Sequence, residues 1–425
     1  MGPSGRCRAA VGAIVVNGRL LFVRAKGYLH LESRLTSLRA PERAVPRASS
    51  GRPTALRRSQ GGGVAYQLAD DFGSVVKKSI EEAMRERGQA NILIAGRTGV
   101  GKSTLINAVF QGKMAETGQG RPVTRSTREI TKEGVPLTIL DTRGLELAAF
   151  RDTLAELETL IAERRQDRDP RRHVHVAWLC IQEDGRRVED AEIELQQALA
   201  RHMPVIGVIT KARSDQGFRN EVQRLLPQAR NVVRVRALSD ELDDGHSLPP
   251  MGLEDLVALT VEVIPEGQRR AFVAAQKASI DQKKRISHGI VGVSATAAAG
   301  AGASPIPFSD AAIIVPIQIA MLAGISATFG LELSKAFLTT LLGSAAGGTA
   351  ATFTGRALVA NALKLIPGAG TVAGGVISAT TAAALTTVLG ETYIAVLAYL
   401  FGEAGGEAPD TAAVVDELRR RLKGE

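Results

Sequence analysis

Two hydrophobic periods divide the chain. Between residues 90 and 265, short apolar runs alternate with stretches whose apolar residues recur at three- and four-residue steps. The runs are "NILIA" (91–95), "LTIL" (137–140), "VHVAWLCI" (174–181), "PVIGVI" (204–209) and "NVVRV" (231–235). Helical patterns occupy 103–110, 148–165, 188–202, 216–226 and 252–264, and in 148–165 the buried stripe is Leu154, Leu157, Leu160 and Ile161. Strands apolar on both faces, each followed by a helix, predict a mostly parallel sheet covered by helices. "STREITKEG" (126–134), polar and followed by Val135-Pro136, predicts an antiparallel edge strand. Ahead of this α/β domain, Val64, Leu68, Phe72, Val75, Val76, Ile80, Ala83 and Met84 form the apolar face of an amphipathic helix over 63–89, with Gly88 as its stop.

Beyond Pro265 the pattern changes. Residues 266–287 read as a charged linker helix, 288–405 as an all-α hydrophobic domain rich in Ala, Gly and Thr, and 406–425 as a polar C-terminal helix. Three stretches, 311–331, 336–355 and 365–390, carry no charge. Each exceeds the roughly 18 residues that make a candidate bilayer span. "KKR" (283–285), just before them, suits an anionic inner leaflet. Two readings stay open: a domain that docks on or inserts into the inner membrane face, and a soluble bundle whose small residues let helices pack closely. "ASPIPFSDA" (303–311) is a stiff turn in which Ser309 and Asp310 can cap the next helix.

Composition narrows the class. Two cysteines, Cys7 and Cys180, exclude a disulfide framework and suit a reducing, cytoplasmic interior. The net charge of +9 belongs to the leader, since residues 1–60 hold 12 Lys/Arg against 2 acids, Glu32 and Glu42, and the rest is 41 against 42. The body therefore offers no case for a nucleic-acid surface. Residues 1–62, broken by Pro41, Pro46 and Pro53, are predicted to be a basic disordered leader. Within them "VGAIVVNGRLLFVR" (11–24) has the pattern of a hairpin around Asn17-Gly18.

Candidate chemistry begins at Gly96-Arg97-Thr98-Gly99-Val100-Gly101-Lys102-Ser103, a Gly-x4-Gly-Lys-Ser loop between a strand and a helix. Its glycines let backbone N–H groups turn onto phosphates, Lys102 reaches the outer phosphates, and Ser103, followed by Thr104, offers a hydroxyl to Mg2+. Asp141 of "LTILDTRG" ends an apolar strand, where it can hold the metal directly or through water. Gly144, three residues on, can offer its N–H to the terminal phosphate. In the polar loop "GQGRPVTRSTREI", Thr124 is the expected second hydroxyl ligand to Mg2+, with Thr127 the runner-up. His173 and His175, on one face of a strand, could form a metal pair, but no further ligand has the right spacing.

"GRTGVGKSTLINAVF", "RPVT", "DTRGLE", "VITKARSD" and "PIPFSDA" together resemble the Era-like, translation-factor-related P-loop GTPases, over roughly residues 64–405. The similarity is to a bacterial group whose G domain precedes a hydrophobic helical domain of unknown function. It implies GTP and GDP as ligands, with Mg2+, an antiparallel second strand and slow hydrolysis. Thr210 and Lys211 match the base-reading box, but Arg213 stands where the family carries an aspartate. Arginine cannot accept the two donors of guanine. Three readings are open: Asp215 swings in, backbone groups near Ala237 and Leu238 hold guanine weakly, or base choice is lost and ATP is accepted.

Leu145 and Gly99 stand where related enzymes carry a water-orienting glutamine and a potassium-linked asparagine. Transition-state stabilisation is therefore expected from Arg143, Arg121, Arg125 or a second protomer in a homodimer. A scaffold that binds nucleotide with little turnover is the rival reading.

Overall fold

The computed structural model describes residues 11–16, 19–24, 63–112, 114, 121–122, 124, 127–142, 150–302, 310–345 and 379–423. Residues 1–59 form one compact unit and 60–425 another. In the first, β1 (Val11–Val16) and β2 (Arg19–Arg24) pair antiparallel with Val16 opposite Arg19. Part of the stretch expected to be disordered thus forms a hairpin.

The second unit opens with α1 (Gly63–Arg87) and continues into a seven-stranded sheet of order β4-β5-β6-β3-β7-β8-β9. Its strands are β3 (Ala90–Gly96), β4 (Arg121–Pro122), β5 (Thr127–Thr131), β6 (Leu137–Thr142), β7 (Val176–Gln182), β8 (Val205–Thr210) and β9 (Asn231–Arg234). Strands β6, β3, β7, β8 and β9 run parallel, while β5 and β4 form the expected antiparallel edge. Helices α2 (Lys102–Val109), α3 (Phe150–Gln166), α4 (Asp190–Ala200), α5 (Phe218–Leu225) and α6 (Leu253–Val263) cover it. A small hairpin, β10 (Asp240–Glu241) with β11 (Ser247–Leu248), follows β9.

Side-chain alternation divides the sheet into two cores. Ile92, Ile94, Val176, Trp178, Ile206 and Val208 face α2 and α6, whereas Leu93, Ala95, Ala177, Leu179, Val205 and Ile209 face α3, α4 and α5. The expected linker helix over 266–287 is two helices, α7 (Glu266–Ala275) and the start of α8 (Ile280–Gly302). Helix α7 belongs to the first sheet core, with Ala271, Phe272, Val273 and Ala275 buried there. Phe272 meets Phe110 and Trp178 edge-on at 6.0 and 6.5 Å, and those two rings stack at 5.7 Å.

The helical domain contains α8, α9 (Asp310–Phe329), α10 (Lys335–Ala345), α11 (Ala379–Glu403) and α12 (Thr411–Lys423). The amphipathic α1 completes it, with Val76 and Ala83 in the same core as Leu322, Tyr393 and Val414. Seven apolar residues of α9 between Ile319 and Phe329 are buried (Ile319, Met321, Leu322, Ala323, Ile325, Ala327 and Phe329). Much of its apolar surface is therefore satisfied by packing. Among the described residues α11 is the one helix long and apolar enough to cross a membrane, yet Tyr393, Ile394, Val396, Leu397 and Phe401 are also core. Residues 303–309 and 346–378, which hold most of the stiff turn and much of the second and third uncharged stretches, lie outside the described residues.

The "KKR" cluster is not a basic surface. Lys283 is fully buried, Lys284 pairs with Asp281, and Arg285 alone of the three is exposed. Lys283 Nζ donates to the carbonyls of Val273 (2.8 Å), Ala274 (3.0 Å) and Phe329 (3.4 Å), and lies over the rings of Phe329 and Phe401. Burial pushes its pKa well below the usual lysine value. It satisfies carbonyls left open where α7 and α9 end. Replacing it by methionine keeps the volume but orphans those carbonyls, so Lys283→Met should destabilise the chain by about 2–3 kcal/mol in urea unfolding.

Candidate nucleotide-binding site

The loop 96–103 leaves the C-terminal end of β3 at the centre of the sheet, between β6 and β7, where ligands of open α/β sheets collect. Gly96, Gly99 and Gly101 have φ of 145°, 79° and 98°. At Gly96 an added Cβ would lie 2.5 Å from the Cys180 carbonyl oxygen, so a side chain there has no room. Lys102 opens α2 and donates Nζ to the carbonyls of Gly96 (2.7 Å) and Arg97 (3.0 Å), holding its ammonium against the loop. Arg97 pairs with Glu189, Thr98 is exposed, Val100 is buried, and Ser103 and Thr104 are exposed on the first turn of α2.

Asp141 is buried at the end of β6, in register with Ile94 of β3, and pairs with Arg128 of β5 at 3.3 Å. Arg128 belongs to no motif legible in the sequence, because its role arises only from the β5–β6 register that places it opposite Asp141. Thr124 accepts a hydrogen bond from Thr127 N through its hydroxyl (3.0 Å), and Thr127 is buried opposite Thr142. Gly144, Arg143, Leu145 and Arg125 lie outside the described residues, as does the side chain of Arg121. The hydroxyl of Ser103 and the carboxylate of Asp141 are the hard oxygen donors that Mg2+ takes, so the donor set fits that ion.

On the other side of the loop, a cleft of about 240 Å³ is lined by Gly101, Thr104, Thr210, Lys211, Arg213, residues 235–240 and Asp184. Thr210 donates to the Val100 carbonyl at 2.6 Å, so it braces the phosphate loop from the end of β8. Lys211 has φ of 54°, the left-handed region, and lines the cleft together with Ala237. Asp215 is not in this wall. Its carboxylate accepts from Arg219 N (2.8 Å) at the start of α5 and lies 3.7 Å from Arg234, because the 214–217 turn runs directly into that helix. The carboxylates of the cleft are Asp184 and Asp240, and Asp240 is held by the guanidinium of Arg213. That pairing holds the Asp240 carboxyl below its usual range.

Glu183, at the end of β7, organises the turn that carries these groups. It is buried and accepts from Arg234 Nε (2.6 Å), Ser214 N (2.7 Å) and Arg213 N. Burial alone would raise its carboxyl, but Arg234 and the two backbone donors outweigh this and hold it below the usual glutamate range. Its sequence signal was faint: the first of two adjacent acids, Glu183 and Asp184, following the apolar strand "VAWLCIQ". Glu183→Gln weakens the Arg234 pairing, and should lower nucleotide affinity about tenfold, read by fluorescent-nucleotide titration.

The histidines do not form a metal pair. His175 uses Nδ1 to accept from Asn91 N (2.9 Å) and lies 3.0 Å from the Pro170 carbonyl through Nε2, while His173 faces the Asp167 carbonyl. Both brace the turn before β7. Burial lowers the His175 pKa from 6.5, so the folded chain favours neutral imidazole and the unfolded chain takes up a proton first. Unfolding free energy should hold above neutral pH and fall as pH drops below about 6.5, and His175→Gln should remove that component in pH-dependent denaturation. Cys180 is buried in β7 with its thiol pushed up to about 12, a core residue.

Residues 91–211 match the family model described as 50S ribosome-binding GTPase, and residues 268–424 match the domain of unknown function DUF697. Rat (Rattus norvegicus) septin-9 is 27% identical over 211 residues, covering 42% of this chain and 36% of septin-9. The tRNA modification GTPase MnmE of Desulfotalea psychrophila is 32% identical over 155 residues, covering 35% of this chain and 31% of MnmE. Among solved structures, the G domain of the T. maritima FeoB iron transporter is 19% identical over 41% of this chain and 98% of its own, with a TM-score of 0.24. The chain spans about a third of the length of the septins it matches. It carries a P-loop GTPase domain followed by an all-helical C-terminal region. These relatives single out no Era-like branch.

Proposed function

We propose that this chain is a slow GTP-hydrolysing switch, of Era-like descent by its motifs, that passes its nucleotide state to the helical domain. The exit of α2 carries the reading. Directly after the helix that begins with Lys102, Lys277 N donates to Val109 O (2.7 Å) and Gln111 N to Ala275 O (3.1 Å). Gln111 Nε2 then donates to Ala274 O (3.0 Å), and Gly112 N to Glu407 Oε2 (2.9 Å), whose other oxygen takes Lys277 Nζ at 2.6 Å. Lys132 of the segment following β5 donates to Gly112 O (2.8 Å). The phosphate-loop helix and the edge next to the switch strand thus share one hydrogen-bonded junction with residues of the helical domain. A shift of α2 on phosphate binding has a short mechanical route into that domain.

In this reading Ser103 and Asp141 hold Mg2+, which would neutralise charge on the outer phosphates, and Lys102 leaves its carbonyls to reach them. Thr124 joins when its loop closes on the triphosphate, and Gly144 contacts the terminal phosphate from the loop after β6. Slow turnover follows from the absence of a glutamine after Gly144. The helical domain then acts at the cytoplasmic face of a membrane or in self-association. The apolar α11 and the exposed Val293, Val388 and Tyr399 support a surface of that kind.

The test is GTP turnover together with hydrogen exchange. Purified full-length protein should hydrolyse GTP on the order of 10⁻³ s⁻¹ or slower, and Lys102→Ala should abolish it. Exchange at residues 109–112, 275–277 and 405–410 should differ between GDP and a non-hydrolysable GTP analogue, and Glu407→Gln should shrink that difference. Tight GTP binding with no turnover would favour the scaffold, and identical exchange in both nucleotide states would refute the coupling.

A further inference from the structure

We infer that Asp240 is the carboxylate that reads guanine, and that Arg213 occupies its reading face until the base arrives. This rests on the proposal that the site takes a guanine nucleotide. Arg213 Nη2 donates to Asp240 Oδ1 at 2.8 Å while Nε donates to Oδ2, so one planar fork of two N–H groups meets both oxygens of one carboxylate. Guanine offers the same fork. Its N1–H and exocyclic N–H branch from one carbon as the guanidinium N–H groups branch from Cζ, and a carboxylate that accepts one fork edge-on accepts the other. Adenine places an acceptor where guanine has N1–H, and meets the carboxylate lone pairs instead.

Position supports the exchange. Asp240 lies in the wall of the cleft beside Lys211 and Ala237, and its backbone is fixed because it begins β10, opposite Leu248 of β11. Arg213 stands where the base-reading aspartate is expected, and its side chain is 54% exposed against 27% for Asp240. The long guanidinium can therefore swing to solvent while the carboxylate stays in place. An exposed pair of this kind is weak, so displacing it costs no more than about fivefold in affinity. The structure thus offers an acceptor from the residue that pairs with Arg213 in the same cleft.

The experiment is competition of GDP, IDP and ADP against fluorescent GDP on the full-length chain, with Arg213→Ala, Asp240→Asn, Asp184→Asn and Asp215→Asn. Wild type should prefer GDP to ADP, with IDP, which lacks the exocyclic amine, in between. Asp240→Asn should lose at least about thirtyfold of that preference with ADP binding unchanged, which also shows that the variant is folded. Arg213→Ala should bind GDP up to about fivefold tighter with its preference kept. Asp215→Asn, which lies outside the cleft wall, should behave as wild type, and Asp184→Asn should keep the preference for GDP over ADP. Preference that survives Asp240→Asn, or disappears in Asp184→Asn or Asp215→Asn, overturns this inference alone. Wild type that binds GDP and ADP equally overturns the guanine reading beneath it as well.

Discussion

Backbone pairing at the exit of α2 is the constraint on which the rest of this molecule depends. Phe110 bridges to Gln276, and the peptide groups of 109–111 exchange hydrogen bonds with 275–277. A buried peptide group left unpaired is costly, so this junction cannot open without replacing every bond it holds. The aromatic trio of Phe110, Trp178 and Phe272 packs directly against it, and Trp178 Nε1 is anchored on Thr260 of α6. Two buried donors, Gln111 and Lys283, then converge on the carbonyls where α7 and α9 end. The phosphate loop, the sheet core and the helical domain consequently share one structural joint.

The helical domain answers a different demand. Its long uncharged stretches are rich in small residues, and at one of them, Gly390, two helices approach closely. At Gly390 of α11 an added Cβ would lie 2.5 Å from a Val291 methyl of α8 and 3.0 Å from Met321 Sδ of α9. Of the polar groups brought inside, Tyr393 and Ser326 pair with each other at 2.6 Å. Helix α1, which precedes the G domain in the chain, supplies part of this core, so the helical domain is discontinuous in sequence and the G domain is inserted between its pieces.

The nucleotide cleft shows how one substitution is absorbed. Arg213 pairs with Asp240 in the same cleft, while Glu183 fixes the turn through backbone donors and Arg234. Asp215, the nearest acid in sequence, is instead committed to the start of α5. Proximity along the chain and proximity in the cleft are different things here.

The phosphate loop, the alternation of strand and helix, and the polar edge strand were legible in the sequence because each depends on local chemistry: glycine φ, side-chain period and strand-end position. The split of 266–287 into α7 and α8, the role of α1, the burial of Lys283 and the pairing of Arg128 with Asp141 were not. Each of these arises from residues far apart in sequence, where burial or register, not composition, decides what a side chain meets. Asp240 belongs with them: as one acid among several in "SDELDD" it looks like solvated surface, and only the fold turns it toward Arg213. Sequence alone marked the glycine-rich loop that follows β3, since the backbone geometry of such a loop is written locally. Tertiary structure alone decided which carboxylate meets Arg213 and which cation is buried, since desolvation and charge pairing exist only once distant segments meet.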